Sequence, residues 1–196
     1  MSISNLARVN AKNCALIIID MQNDFIQEGA PIECPNGKKL IPVIQDLKKW
    51  AHSLKIPVFY TQEEHRFQKI DFGLELIRSE PEHCVEGTKG VEIVEELKPK
   101  DDEYVIKKRR YSGYYLTDLE ILMRAFDRDC LIITGVATNV CVYGTAFDSI
   151  QRDIQPIVVE DAVAGTSIQL HEAFLQNIDY VIGDVVTSNQ LKENIK

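Results

Sequence analysis

The stretch Leu131–Tyr143, LIITGVATNVCVY, carries a continuous apolar run that stops at Gly135, and a cysteine, Cys141, follows shortly after. With Cys130 in front, CLIIT has the composition of a fully buried strand. The following TNVCVYGTAFDSI, Thr138–Ile150, reads as a helix with small residues on one side and apolar ones on the other. A cysteine in the first turn of such a helix meets unpaired backbone N–H groups and the positive end of the helix dipole. Both favour thiolate over thiol, and the N–H groups are donors for an oxyanion on an attacked carbonyl. Taken alone, the stretch is read equally well as holding a buried structural cysteine.

Working outward, CALIIID places Asp20 directly after an apolar run, and DEYVIKK places Lys108 at the end of another. Six β-rich runs, Cys14–Asp20, Pro57–Thr61, Tyr104–Lys107, Leu131–Thr134, Gln155–Glu160 and Tyr180–Ile182, alternate with helical patterns. That alternation is the mark of βαβ units. The expected fold is α/β, a three-layer α/β/α sandwich on a six-stranded, mainly parallel sheet. Lys38–Leu54 has Leu40, Val43, Ile44, Leu47 and Leu54 at helical spacing, with Pro42 in the first turn. Gly90–Lys98 predicts a short acidic helix, and Thr117–Phe126 a longer one with a capping box from Thr117 to Glu120. In a parallel sheet Asp20, Lys108 and Cys141 all leave the same carboxyl edge, where open α/β sheets bind ligands. Asp20 would take and return the thiol proton, while the Lys108 ammonium would depress the cysteine pKa. Singly, Asp20 also reads as a helix N-cap and Lys108 as one more solvated charge.

The chain has 196 residues, 45% of them hydrophobic, enough for one sizeable core and one domain, residues 1–196. A net charge of −8 speaks against nucleic-acid and anionic-membrane partners, which need a basic face. No apolar stretch is long enough to span a bilayer, and MSISNLARVN lacks a signal-peptide core, so a cytoplasmic protein is expected. Five cysteines, an odd number without scaffold spacing, read as reduced thiols.

The ordered motifs ALIIIDMQNDF, VIKKRRYSGYYLTDLEILMR, LIITGVATNVCVYGTAFDSI and PIVVEDAVAG resemble those of the isochorismatase-like cysteine hydrolases, over nearly the whole chain. The resemblance implies that Asp20, Lys108 and Cys141 match that family's catalytic triad, with Cys141 the nucleophile. Lys108 rather than Lys107 matches because the family's lysine stands four residues before a serine, here Ser112. It further implies a cis peptide joining Val136 to Ala137, which turns the Ala137 N–H toward that of Cys141 as an oxyanion site. A homo-oligomer, dimer or tetramer, is implied as well.

Glu63 and His65 follow the second run as E-x-H, with His83 later, a carboxylate and two imidazoles that suit Zn²⁺ or Mn²⁺. Solvated loop residues are the plainer reading. In nicotinamidases of the family an Asp-x-His and a later histidine bind metal; Glu63 stands where that aspartate would be. No cofactor is required by the resemblance. Phe25, Gln62 and Tyr114 are candidate substrate contacts, with Asn23 and Tyr143 as further neighbours and Tyr111 and Arg110 as recognisers of a substrate carboxylate. RYSGYYLTDLE and GVATNVCV resemble the branch that cleaves ureido and N-carbamoyl groups, so a small amide or ureide is the expected substrate. Nicotinamide is the alternative, although Trp50 is the only tryptophan. A catalytically idle binding member of the fold is the other.

Overall fold

The computed structural model describes residues 9–78 and 80–196, so most of the amino-terminal stretch read for a leader lies outside the described residues. The strands are β1 (Cys14–Ile19), β2 (Val58–Glu63), β3 (Tyr104–Lys108), β4 (Cys130–Val136), β5 (Gln155–Ala164) and β6 (Asp184–Val186). All pair in parallel, in the order β3-β2-β1-β4-β5-β6. The helices are α1 (Asn23–Ile26), α2 (Ile41–Ser53), α3 (Glu75–Arg78), α4 (Leu119–Ala125), α5 (Tyr143–Ile150), α6 (Ile168–Val181) and α7 (Ser188–Asn194).

Strand alternation sends side chains to two faces. Leu16, Ile18, Val58, Tyr60 and Ile132 pack under Ile44 and Leu47 of α2 and Leu191 of α7. Ala15, Ile17, Phe59, Leu131 and Ile133 pack under Leu119 of α4, Ala146 of α5 and Ile178 of α6. Every residue of β1 and β4 is buried, which explains their unbroken apolar runs. The result is the three-layer α/β/α sandwich. No described helix is long and apolar enough to cross a membrane.

Three expected elements differ. Tyr180 and Val181 end α6 instead of opening a strand; they are exposed, while Ile178 and Ile182, at helical spacing, are buried. The last strand begins only after Gly183. The first half of the expected acidic helix is extended, because Gly90 and Glu92 carbonyls accept from Asp24 and Asn23 N–H and Val94 N–H donates to Met21. Only Glu95–Leu97 turns, as 3₁₀. Thr117 and Glu120 form no capping box: the N-cap of α4 falls one residue later, at Asp118, and the Thr117 hydroxyl donates to the Gly113 carbonyl. Glu120 instead pairs with Arg124 and Arg152.

Candidate functional site

Four strand ends converge. Asp20 follows β1 in the left-handed region, φ 50°, which Asp tolerates better than most residues. Thr61 on β2 fixes it, its hydroxyl donating to Asp20 Oδ1 at 2.7 Å and accepting the Asp20 N–H at 3.2 Å. On β3 the pleat turns Lys107 outward to Glu64 at 2.8 Å and Lys108 inward, where its side chain is completely buried. After β4 comes a cis peptide between Val136 and Ala137, then a π-helical turn, Thr138–Val142, holding Cys141 just ahead of α5. Ala137 is the N-cap of that turn.

Lys108 Nζ lies 2.9 Å from Asp20 Oδ2 as an ion pair and donates to Glu63 Oε2 at 2.8 Å and to the Arg110 carbonyl at 3.0 Å. Cys141 Sγ is 3.5 Å away from the same ammonium. One cation therefore serves two carboxylates and a thiol. Burial raises the Asp20 carboxyl above its ordinary value, helped by Glu63 and opposed by Lys108. Burial also opposes the charge on Glu63, yet Lys108 and the two imidazoles overcome it and hold Glu63 well below the carboxylate range. Lys108 is held well above its ordinary value, its burial outweighed by Asp20, Cys141 and Glu63. The expected depression of the cysteine pKa is overturned. Burial, with Asp20 and Glu63 beside it, pushes the Cys141 thiol up well past what Lys108 can offset.

Glu63, His65 and His83 also meet. Glu63 Oε1 lies 3.1 Å from His65 Nε2 and 3.0 Å from His83 Nε2. The three residues' ligand atoms fall within 4.8 Å of one another, all buried. His83 Nδ1 lies 2.8 Å from the Pro81 carbonyl, an acceptor only, so Nδ1 carries hydrogen. Its Nε2 then faces the Glu63 oxygen either with a second proton or across a cation. Glu63, with the Pro81 carbonyl, raises the His83 pKa against its burial, which suits the imidazolium. Two imidazoles and a carboxylate equally suit Zn²⁺ or Mn²⁺, so the residues fit a divalent ion.

Cys141 opens onto a cavity of about 490 Å³, its solvent mouth included. Phe25 lines it, as do Val136, Ala137 and Tyr111. Gln62 and Tyr114 do not belong to its described lining. Gln62, on the opposite side of the strand from Thr61 and Glu63, donates to the Val91 carbonyl at 2.7 Å. Tyr114 is buried against Ser149 and Arg152. Asn23 binds the Lys89 carbonyl, Tyr143 packs on Phe147 and Phe174, and Arg110 binds the Asp71 carbonyl, so none of these three reaches the cavity. Asp161, within β5, accepts from the N–H and hydroxyl of Ser188 and so anchors α7. Sequence reasoning missed Glu33, Cys34 and Glu80, which line the cavity, and Gln22, whose buried amide brackets both backbone groups of Glu63. Only Gln22 left a signal, a glutamine beside a strand-end aspartate.

Comparison with known proteins gives concordant matches. Residues 14–190 match the family profile described as Isochorismatase domain. A protein of Arabidopsis thaliana described as a probable inactive nicotinamidase is 34% identical over 170 residues, 83% of this chain and 86% of that one. N-carbamoylsarcosine amidase of an Arthrobacter species is 30% identical over 182 residues, 90% of this chain and 69% of that one. Among solved structures, the pyrazinamidase of Pyrococcus horikoshii in complex with zinc superposes with a TM-score of 0.82 at 30% identity, covering 89% of this chain and 99% of that one.

Proposed function

Since the chain belongs to the isochorismatase family of hydrolases, we propose that it is a cysteine-dependent amidohydrolase, cleaving a C–N bond of a small amide or ureido compound. The observation that carries the reading is the single Lys108 ammonium, 2.9 Å from Asp20 and 3.5 Å from Cys141, both of which line the cavity. In this reading Asp20, Lys108 and Cys141 are the catalytic residues.

The thiol rests protonated, and Asp20, with its raised proton affinity, is the base that receives the proton as sulfur attacks. A C–S bond forms, and the carbonyl electrons move to oxygen, where the Ala137 and Cys141 N–H groups stabilise them. The tetrahedral centre collapses, the C–N bond breaks, and Asp20 passes its proton to the departing nitrogen. Water then attacks the thioester, giving its proton to Asp20, and collapse returns the proton to sulfur with release of the acid. Lys108 keeps its charge throughout, offsetting the negative charge that moves between Asp20 and sulfur.

No metal is needed for these steps. Glu63, His65 and His83 would hold a divalent ion, and such an ion, when bound, supplies Lewis-acid polarisation of an oxygen. Their convergence favours a second reading, nicotinamide deamidation, for which Phe25 and Tyr111 offer aromatic surface in the cavity; Trp50, on α2, is not among the described lining residues. The relative described as probably inactive supplies a third, a binding protein without turnover. A cytoplasmic location is part of the proposal, supported by five buried cysteines with no disulfide among them, and a homo-oligomer, as the family resemblance implies, completes it. Sedimentation velocity checks the assembly, and the mass of one chain would count against it.

The deciding experiment is ammonia release from N-carbamoylsarcosine, ureidoacrylate, biuret and nicotinamide, with wild type and Cys141→Ala, each with and without a chelator. Release that Cys141→Ala abolishes supports the amidohydrolase. Loss on chelation assigns a metal to Glu63, His65 and His83. Silence on all four substrates, with an unreactive Cys141, supports the idle binding protein.

A further inference from the structure

We infer that this cavity selects amides or ureides whose remainder is uncharged or cationic, and that it rejects those bearing a carboxylate. The inference deepens the amidohydrolase reading and rests on it. Four carboxylates line the cavity: Asp20 and Glu63 at its floor, and Glu33 and Glu80 with them. No lysine or arginine is among the described lining residues.

The described cations nearby are committed elsewhere, His83 of the lining included: its Nε2 lies 3.0 Å from Glu63 Oε1 and its Nδ1 2.8 Å from the Pro81 carbonyl. Lys108 lies beneath the floor, paired with Asp20 and donating to Glu63, the Arg110 carbonyl and Cys141. Arg110, the residue best placed in sequence to greet a substrate carboxylate, donates to the Asp71 carbonyl at 2.9 Å, and Arg109 pairs with Asp71 at 2.9 Å. Lys107 pairs with Glu64. Glu33 is positioned from outside the cavity by the Gly29 N–H, 2.9 Å from its Oε2. Phe25, Ile32 and Val140 supply apolar surface beside them. A substrate carboxylate entering here would leave water, meet like charge and find no uncommitted cation among the described lining residues. An ammonium or guanidinium would be drawn in, and an uncharged tail would meet apolar walls.

Iodoacetamide, itself a primary amide, and iodoacetate, its carboxylate counterpart, test this directly at Cys141. In both, sulfur displaces iodide. Rates are read by peptide mass spectrometry on the folded chain in chelator and divided by the rates for the same cysteine in the urea-unfolded chain. That division removes the reagents' intrinsic difference. The acidic cavity is expected to depress the normalised iodoacetate rate below that of iodoacetamide by on the order of tenfold. 2-Bromoethylammonium, normalised in the same way, is expected to equal or exceed iodoacetamide. Glu33→Gln, at an exposed position, should recover about threefold of the iodoacetate loss as one charge is removed. Equal normalised rates for the acetate and the acetamide would overturn the substrate class while leaving Cys141 a nucleophile. No labelling of the folded chain by any reagent would overturn the nucleophile, and the substrate class with it.

Discussion

At the scale of single residues, the site's chemistry turns on three acids sharing one buried ammonium. Asp20 and Cys141 act on the same proton, so their losses are expected to be non-additive. Asp20→Asn and Cys141→Ala should each lower turnover by about 10³-fold or more, and the double variant should be no slower than either. Single-turnover rates check this; a product of the two losses would mean that the residues act separately. The raised Asp20 pKa has a definite sign. Protonated Asp20 cannot take the thiol proton, so kcat/KM should fall as pH drops through a value above the ordinary 3.8. A pH profile of kcat/KM whose acid limb stays at the ordinary value would assign that limb to another group. Asp20, Lys108 and Cys141 were legible because each ends or follows an apolar run, and strand ends of a parallel sheet share an edge. The direction of the Cys141 shift was not legible, since it depends on how deeply Asp20 and Glu63 are buried beside it. Gln62 and Tyr114 misled because proximity in sequence says nothing about which face of a strand or turn a side chain occupies.

At the scale of elements, two positions join parts that sequence treats separately. Glu103, just before β3, accepts from His52 at 2.8 Å and pairs with Lys48 at 3.1 Å, both on α2. Its burial opposes ionisation, but the Lys100 N–H, His52 and Lys48 hold its carboxyl below the ordinary 4.5. A depressed carboxylate stabilises the fold fully above that value and ceases to do so as pH falls through the lowered one. Glu103→Gln should therefore cost about 1–3 kcal/mol at neutral pH, a difference that shrinks in acid. Urea midpoints of both proteins at the two pH values measure it. Gly135, at φ 103°, sits where a Cβ would strike the Ile19 carbonyl on β1. Gly135→Ala is expected to destabilise by about 2 kcal/mol or more, read as a lower urea midpoint. Strands with unbroken apolar runs were easy to place. The run Tyr180–Ile182 deceived because it continues a helix whose buried positions are Ile178 and Ile182, and Gly90–Val94 because its backbone pairs with residues far earlier in the chain. A capping box does exist, from Thr187 to Gln190 at α7, but no apolar run marks it.

At the scale of the whole molecule, the two apolar layers share the same strands, since alternate residues of β1 and β4 feed opposite cores. Neither layer has a sheet of its own to retain if the other melts, so the described residues should unfold as one unit. Trp50 reports on α2 alone, whereas far-UV circular dichroism reports on every helix. The two transitions should coincide in urea, and an earlier tryptophan transition would reveal α2 detaching first. The order of strands has a last consequence. Lys108 is carried by β3, one of the two edge strands, whose Tyr104 and Val105 are 42% and 40% exposed and which pairs among the described residues with β2 alone. The charge that organises the centre is thus borne by the margin of the sheet, where fraying costs least. Mild denaturant should silence the protein while its spectrum still looks native, and amide exchange in β3 should keep time with the loss of activity.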